Sequence, residues 1–166
     1  MRLTLAAVGA VVAALLQSTI VPYVQIGDAT PDLVLVFAVT ATIAGTVEAG
    51  LLSAFIGGLI IDLLAPRPLG MTAFMLLLCV ALAAVLGRTL DRVRYIVPAI
   101  AVFLGSILSS VLFLALYGAL RERIPVADPV HAFLPDAIYS TAVAAIVGPI
   151  AVGLRARAAE RERVAW

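Results

Sequence analysis

Lysine is absent from this sequence, charge of either sign is scarce, and cysteine, histidine and tryptophan occur once each. All eleven basic residues are arginine, from which no binding role follows. Charged residues make up 13% of the chain and the formal net charge is +1, so there is no basic surface of the kind that recruits nucleic acid. A single cysteine, Cys79, rules out an intramolecular disulfide. Neither Cys79 nor His131 has companions at metal-ligand spacing, so no metal centre and no cofactor is expected. Ser106, Ser109 and Ser110 have no histidine or lysine nearby to activate a hydroxyl, and such residues commonly bond back to their own helix carbonyls. Nothing here reads as an enzyme.

What is present in quantity is apolar sequence. Hydrophobic residues reach 64% and mean hydropathy is +1.18, against roughly 45–50% apolar usage in soluble domains. The chain reads as an all-α, polytopic integral membrane protein. A helix needs about 20 apolar residues to cross the hydrocarbon core. The expected spans are 3–21, 31–44, 49–65, 70–86, 95–120 and 136–154, a single six-helix transmembrane domain over 1–154 followed by a short charged tail, 155–166, read as a surface helix or as disordered. The first run has the charge and apolarity of a signal peptide, but 17–22 lacks a small-residue cleavage site, so a retained helix is expected.

Residues 33–65 require a reversal. As one helix at ~1.5 Å per residue they would extend about 50 Å, well beyond a core roughly 30 Å thick. Gly45, Glu48 and Gly50 mark the expected turn. Six crossings put Arg2, Arg88, Arg92, Arg94, Arg155, Arg157, Arg161 and Arg163 on one side and Arg67, Arg121 and Arg123 on the other. The excess of arginine on cytoplasmic segments then predicts both termini in the cytoplasm; were 31–44 only re-entrant, five crossings would split the arginines seven to four with the N-terminus outside, a weaker bias that makes six the preferred count. Tyr95 and Tyr117 are spaced to reach opposite interfaces.

Two features of the spans stand out. Gly50, Ala54, Gly58 and Asp62 recur every fourth residue along one helix face, with Ser53 and Gly57 on the adjacent row. Small residues at this spacing let two backbones approach, which drives helix association in lipid. The face serves either packing within the chain, the commoner outcome, or a partner protein. Asp62 is the one acid well inside an apolar run, and burial there requires a partner or water. It is either a helix-end carboxylate reaching headgroups or Arg67, or a buried clamp on the hairpin 65–70. Asp32 and Asp136 each follow a proline and are expected to cap the helices they begin, while Glu48 is expected in a solvated turn.

The order Pro31-Asp32-Leu-Val-Leu-Val, then Gly45 to Gly50, then Gly57-Gly58-Leu-Ile-Ile-Asp62-Leu-Leu-Ala-Pro-Arg-Pro-Leu-Gly70 resembles the rod-shape-determining MreD family over 31–74. Pro31, Asp32, Asp62 and Gly70 carry the motif. The resemblance implies an inner-membrane component of the bacterial cell-elongation machinery, a non-catalytic scaffold binding MreC. It implies further association with the MreB filament, RodA and a class-B penicillin-binding protein in lateral peptidoglycan synthesis. It also implies a fold like that of the substrate-binding subunits of energy-coupling-factor transporters. That likeness supplies the alternative reading, a vitamin-binding subunit whose Ala6, Ala10 and Ala14 would dock a coupling protein. The partners expected are therefore MreC and membrane lipids, with no nucleic acid.

Overall fold

The computed structural model describes residues 2–23, 30–65, 68–90, 95–119 and 129–164. Among them are six α-helices and no strand: α1 (Arg2–Thr19), α2 (Leu33–Thr40), α3 (Val47–Leu64), α4 (Met71–Thr89), α5 (Val97–Ala119) and α6 (Pro129–Val164). A 3-10 turn, Val21–Tyr23, follows α1, and α2 runs on into a π-helical turn, Ala41–Gly45.

Each boundary has a local cause. The Asp32 carboxylate accepts the Leu35 N–H and opens α2, as expected from its place after a proline. The reversal before α3 falls at Gly45–Thr46, where Thr46 is extended and its hydroxyl caps Ala49 N–H. Glu48 and Gly50 are therefore already helical and do not form the turn expected of them, because the cap at Thr46 starts α3 before them. The other displaced boundary is that of α6, which starts at Pro129 and passes through Pro135, so Asp136 lies inside it and is not its first-turn cap. The backbone of α6 also continues without a break through 155–164.

Helix directions follow from individual contacts. Gly57 of α3 meets Val34 while Gly50 meets Thr42 and Ala38, which makes α2 and α3 antiparallel. Ser53 bonds the Ala6 carbonyl and Gly57 lies near that of Ala10, so α1 and α3 run parallel. Thr30 and Asp32 meet Asp136 and Ser140 in the same order, so α2 and α6 run parallel too. The starts of α1 and α3 and the C-terminal end of α6 accordingly share one end of the bundle.

The shortest helix is the central one. α2 packs against all five others, which surround it in the sequence α1, α3, α4, α5, α6. Val34, Leu35, Val36, Ala38, Val39 and Thr40 are all buried, and the main core is built around them. A smaller cluster, Met71 and Met75 against Leu112, Phe113 and Leu116, joins α4 to α5 farther out. Outward-facing Leu, Ile, Val and Phe are numerous on the surrounding helices, as lipid requires of a spanning bundle. By length and composition α3, α4, Val97–Leu116 of α5 and Leu134–Leu154 of α6 can each cross a membrane; Leu3–Thr19 and Leu33–Gly45 are shorter apolar helices. α2 can be short because its neighbours, not lipid, cover it.

Candidate functional site

Asp62 lies in the last turn of α3 and is only 2% exposed. Gly57 and Gly58 bring this end of α3 against its neighbours: a Cβ on Gly58 would lie 2.4 Å from Ala73 Cα and 2.7 Å from Ala73 N. At that separation the Asp62 carboxylate reaches the first turn of α4. It accepts N–H groups from Gly70 at 2.9 Å, Thr72 at 3.1 Å to both oxygens, and Ala73 at 3.4 Å. These amides have no partner within their own helix, and the positive end of the helix dipole favours a carboxylate there. Asp62 is thus the N-terminal cap of α4, supplied by another helix. Of the two readings left open by sequence, the structure shows the clamp on the hairpin; Arg67 lies outside the described residues.

Gly70 completes the clamp. It occupies the left-handed region at φ +89°, which turns its N–H toward Asp62 Oδ2 and lets the chain enter α4.

A polar belt tied to the start of α2 lies toward the same end. Gln17 of α1 accepts the Val34 N–H at 2.9 Å, Asp32 N–H donates to Ser140 Oγ at 2.9 Å, and Thr30 donates its N–H and hydroxyl to Asp136 Oδ1. Asp136 therefore caps the segment entering α2 and not its own helix. Gln17, Thr30 and Ser140 were not singled out by the sequence. The available signal was spacing: Asp136 and Ser140 are one turn apart on α6 and meet a pair two residues apart on the extended segment before α2.

The small-residue face is occupied within the chain. Gly50 lies against Thr42, Ala54 is fully buried, Gly57 lies against Val34 and Gly58 against Ala73, while the Ser53 hydroxyl bonds the Ala49 and Ala6 carbonyls. Ala6, Ala10 and Ala14 are likewise buried, with Ala6 and Ala10 against α3, so this row is not presented to a docking protein. Of the α5 serines, Ser110 bonds the Ser106 carbonyl as expected, but Ser109 meets buried Cys79 Sγ at 3.2 Å, and the buried hydroxyls of Ser106 and Thr40 have no hydrogen-bond partner among the described residues. Glu48 is exposed in the first turn of α3. The side chains of His131 and Tyr117 fall outside those described. Among the described residues no three of His, Cys, Asp and Glu converge as a metal site.

Pro31 and Asp32 at the entry to α2, Asp62 and Gly70 in the clamp: the motif residues all sit at helix starts or hold one. A family model described as rod shape-determining protein MreD matches residues 2–155. The chain belongs to the MreD family. It is a membrane protein of that rod-shape-determining family, and the match extends beyond the 31–74 motif region through all six helices to the start of the charged end of α6. Comparisons with curated proteins and with solved structures find no match. In this MreD-family chain, the residues on which the resemblance rested secure the N-termini of α2 and α4 inside the bundle.

Proposed function

We propose that this MreD-family chain is a non-catalytic scaffold of the bacterial cell-elongation complex. It lies in the inner membrane, crosses six times with both termini cytoplasmic, and holds MreC, through which it supports lateral peptidoglycan synthesis alongside MreB, RodA and a class-B penicillin-binding protein. The observation that carries this reading is the use made of the polar groups inside the bundle. Asp62, Asp32, Asp136, Gln17 and Ser140 each bond backbone amides at helix starts, an arrangement that stiffens a frame. A frame of fixed shape with lipid-facing apolar surfaces suits the holding of other transmembrane segments.

The six-crossing topology is supported by the alternating helix directions and by the enclosure of α2, whose short length its neighbours cover. The vitamin-transporter alternative loses the docking row it relied on, since Ala6, Ala10 and Ala14 face inward.

The test is co-purification. With MreC and this chain co-expressed, a tag on either is expected to bring down the other from mild-detergent extracts. Failure of MreC to accompany the intact, membrane-inserted chain overturns the scaffold reading.

A further inference from the structure

The described residues divide by charge between the two ends of the bundle. Arg2, Arg88, Arg155, Arg157, Arg161 and Arg163 belong to the end where α1 starts and α4 and α6 finish. Asp32, Asp62 and Asp136 belong to the other, where each carboxylate accepts backbone amides. The described acids at the arginine end are Glu48, Glu160 and Glu162, so that end keeps an excess of positive charge.

Exposure along two helices shows how the arginines meet lipid. On α4, alternating steps of four and three residues pick out Phe74, Leu78, Ala81, Val85 and Arg88, all exposed and therefore one lipid-facing row. On α6, Ala142, Ile146, Ile150 and Leu154 are exposed in the same way, and Arg157 is the next position of that row. Each row is apolar along its length and cationic at its last position. Both rows end at a similar depth. Gly87 lies nearest Ile43, and the register set by Asp32 against Ser140 puts Ile43 level with Ala151, so Arg88 and Arg157 stand about 8 Å apart along the bundle axis. Tyr95, exposed just before α5, marks the headgroup level between the two helices, since α5 packs on both.

We propose that each row binds one anionic phospholipid, with an acyl chain along the apolar residues and the headgroup phosphate on the terminal arginine. Arginine suits that place: its stem covers apolar surface while the guanidinium offers a phosphate two parallel N–H donors and a permanent charge. Depth then separates the arginines of α6. The headgroup layer is only roughly 5–8 Å deep on each side of the hydrocarbon. Arg157 is ~4.5 Å beyond Leu154, whereas Arg161 and Arg163 are ~10 and ~13 Å beyond it, because the α6 backbone continues without a break. The outer turns of α6 thus add charge to this end without adding a lipid contact. The assignment requires a bundle that spans a bilayer; it depends neither on the scaffold reading nor on which end is cytoplasmic.

In the test, the purified full chain in an uncharged detergent is titrated with phosphatidylglycerol or phosphatidylcholine of the same acyl chains, and bound lipids are counted by native mass spectrometry. The unsubstituted chain is expected to bind phosphatidylglycerol about fivefold more tightly than phosphatidylcholine at two sites. Arg88→Gln with Arg157→Gln is expected to abolish that preference. Arg161→Gln with Arg163→Gln, which removes the same charge, is expected to leave it unchanged. Each of Arg88→Gln and Arg157→Gln alone is expected to lose one of the two preferred sites, which keeps the test decisive should the pair fail to fold. Equal binding of both lipids by the unsubstituted chain overturns the proposal. So does retention of the preference without Arg88 and Arg157, or an equal loss without Arg161 and Arg163.

Discussion

The Asp62–Gly70 clamp concentrates much of this chain's local specificity in two residues. Replacing Asp62 by Ala leaves the amides of Gly70, Thr72 and Ala73 without their acceptor at a buried site, where each unsatisfied group costs about 1–3 kcal/mol. A loss on the order of 2–4 kcal/mol is expected for Asp62→Ala, and a smaller one for Asp62→Asn, which keeps one acceptor oxygen. Thermal unfolding in detergent checks the ranking; equal stability of all three proteins would refute the cap. Gly70→Ala tests the other half. No atom lies within 4 Å of a Cβ built there, so the expected cost of about 1–2 kcal/mol comes from the left-handed backbone alone. Gly70→Asn, which tolerates that conformation better, should recover part of it.

At the scale of elements, the crossing of α3 and α4 depends on Gly58. A methyl group there meets backbone atoms of Ala73, which cannot rotate aside, so Gly58→Ala is expected to force the helices apart at a cost of about 1–3 kcal/mol. Gly87, whose Cβ would meet only Ile43 Cγ1 at 3.7 Å, is the control: Gly87→Ala is expected to be neutral or to stabilise by about 0.5–1 kcal/mol through helix propensity. The same melting measurement distinguishes the two. The periodicity of Gly50, Ala54, Gly58 and Asp62 was legible in sequence, and so was its meaning as a close-packing face. Which helix it would meet was not, because one row meets several: Gly50 approaches the π turn after α2, and Gly58 approaches α4. Spacing along one helix carries no information about how the others are arranged around it.

For the molecule as a whole, the alternation of directions sets a topology that labelling can read. Single cysteines at Leu3 and Thr89 lie at one end of the bundle and at Thr30 and Leu69 at the other, in a Cys79→Ser background. On the proposed orientation, with both termini cytoplasmic, a membrane-impermeant thiol reagent added to intact spheroplasts is expected to label the second pair and spare the first; the reverse pattern would invert the orientation. The enclosure of α2 also explains how a 13-residue apolar segment, 33–45, fits a spanning bundle. Its ends are met by Asp32 and Gln17 at the start and by Thr46 at the reversal, inside a ring of longer helices.

Composition and apolar runs alone determined that the chain is helical and lives in lipid, because a backbone in hydrocarbon must satisfy its own hydrogen bonds. The order and spacing of Pro31–Asp32, Asp62 and Gly70 suggested the family, and the MreD family model that matches residues 2–155 shows it. The tertiary structure alone decided that Asp62 caps a neighbouring helix, that Asp136 serves the entry to α2, and that the shortest helix is the centre, packed against all five others. Those outcomes depend on the distances between segments remote in sequence, which a single row of residues does not encode in any local pattern.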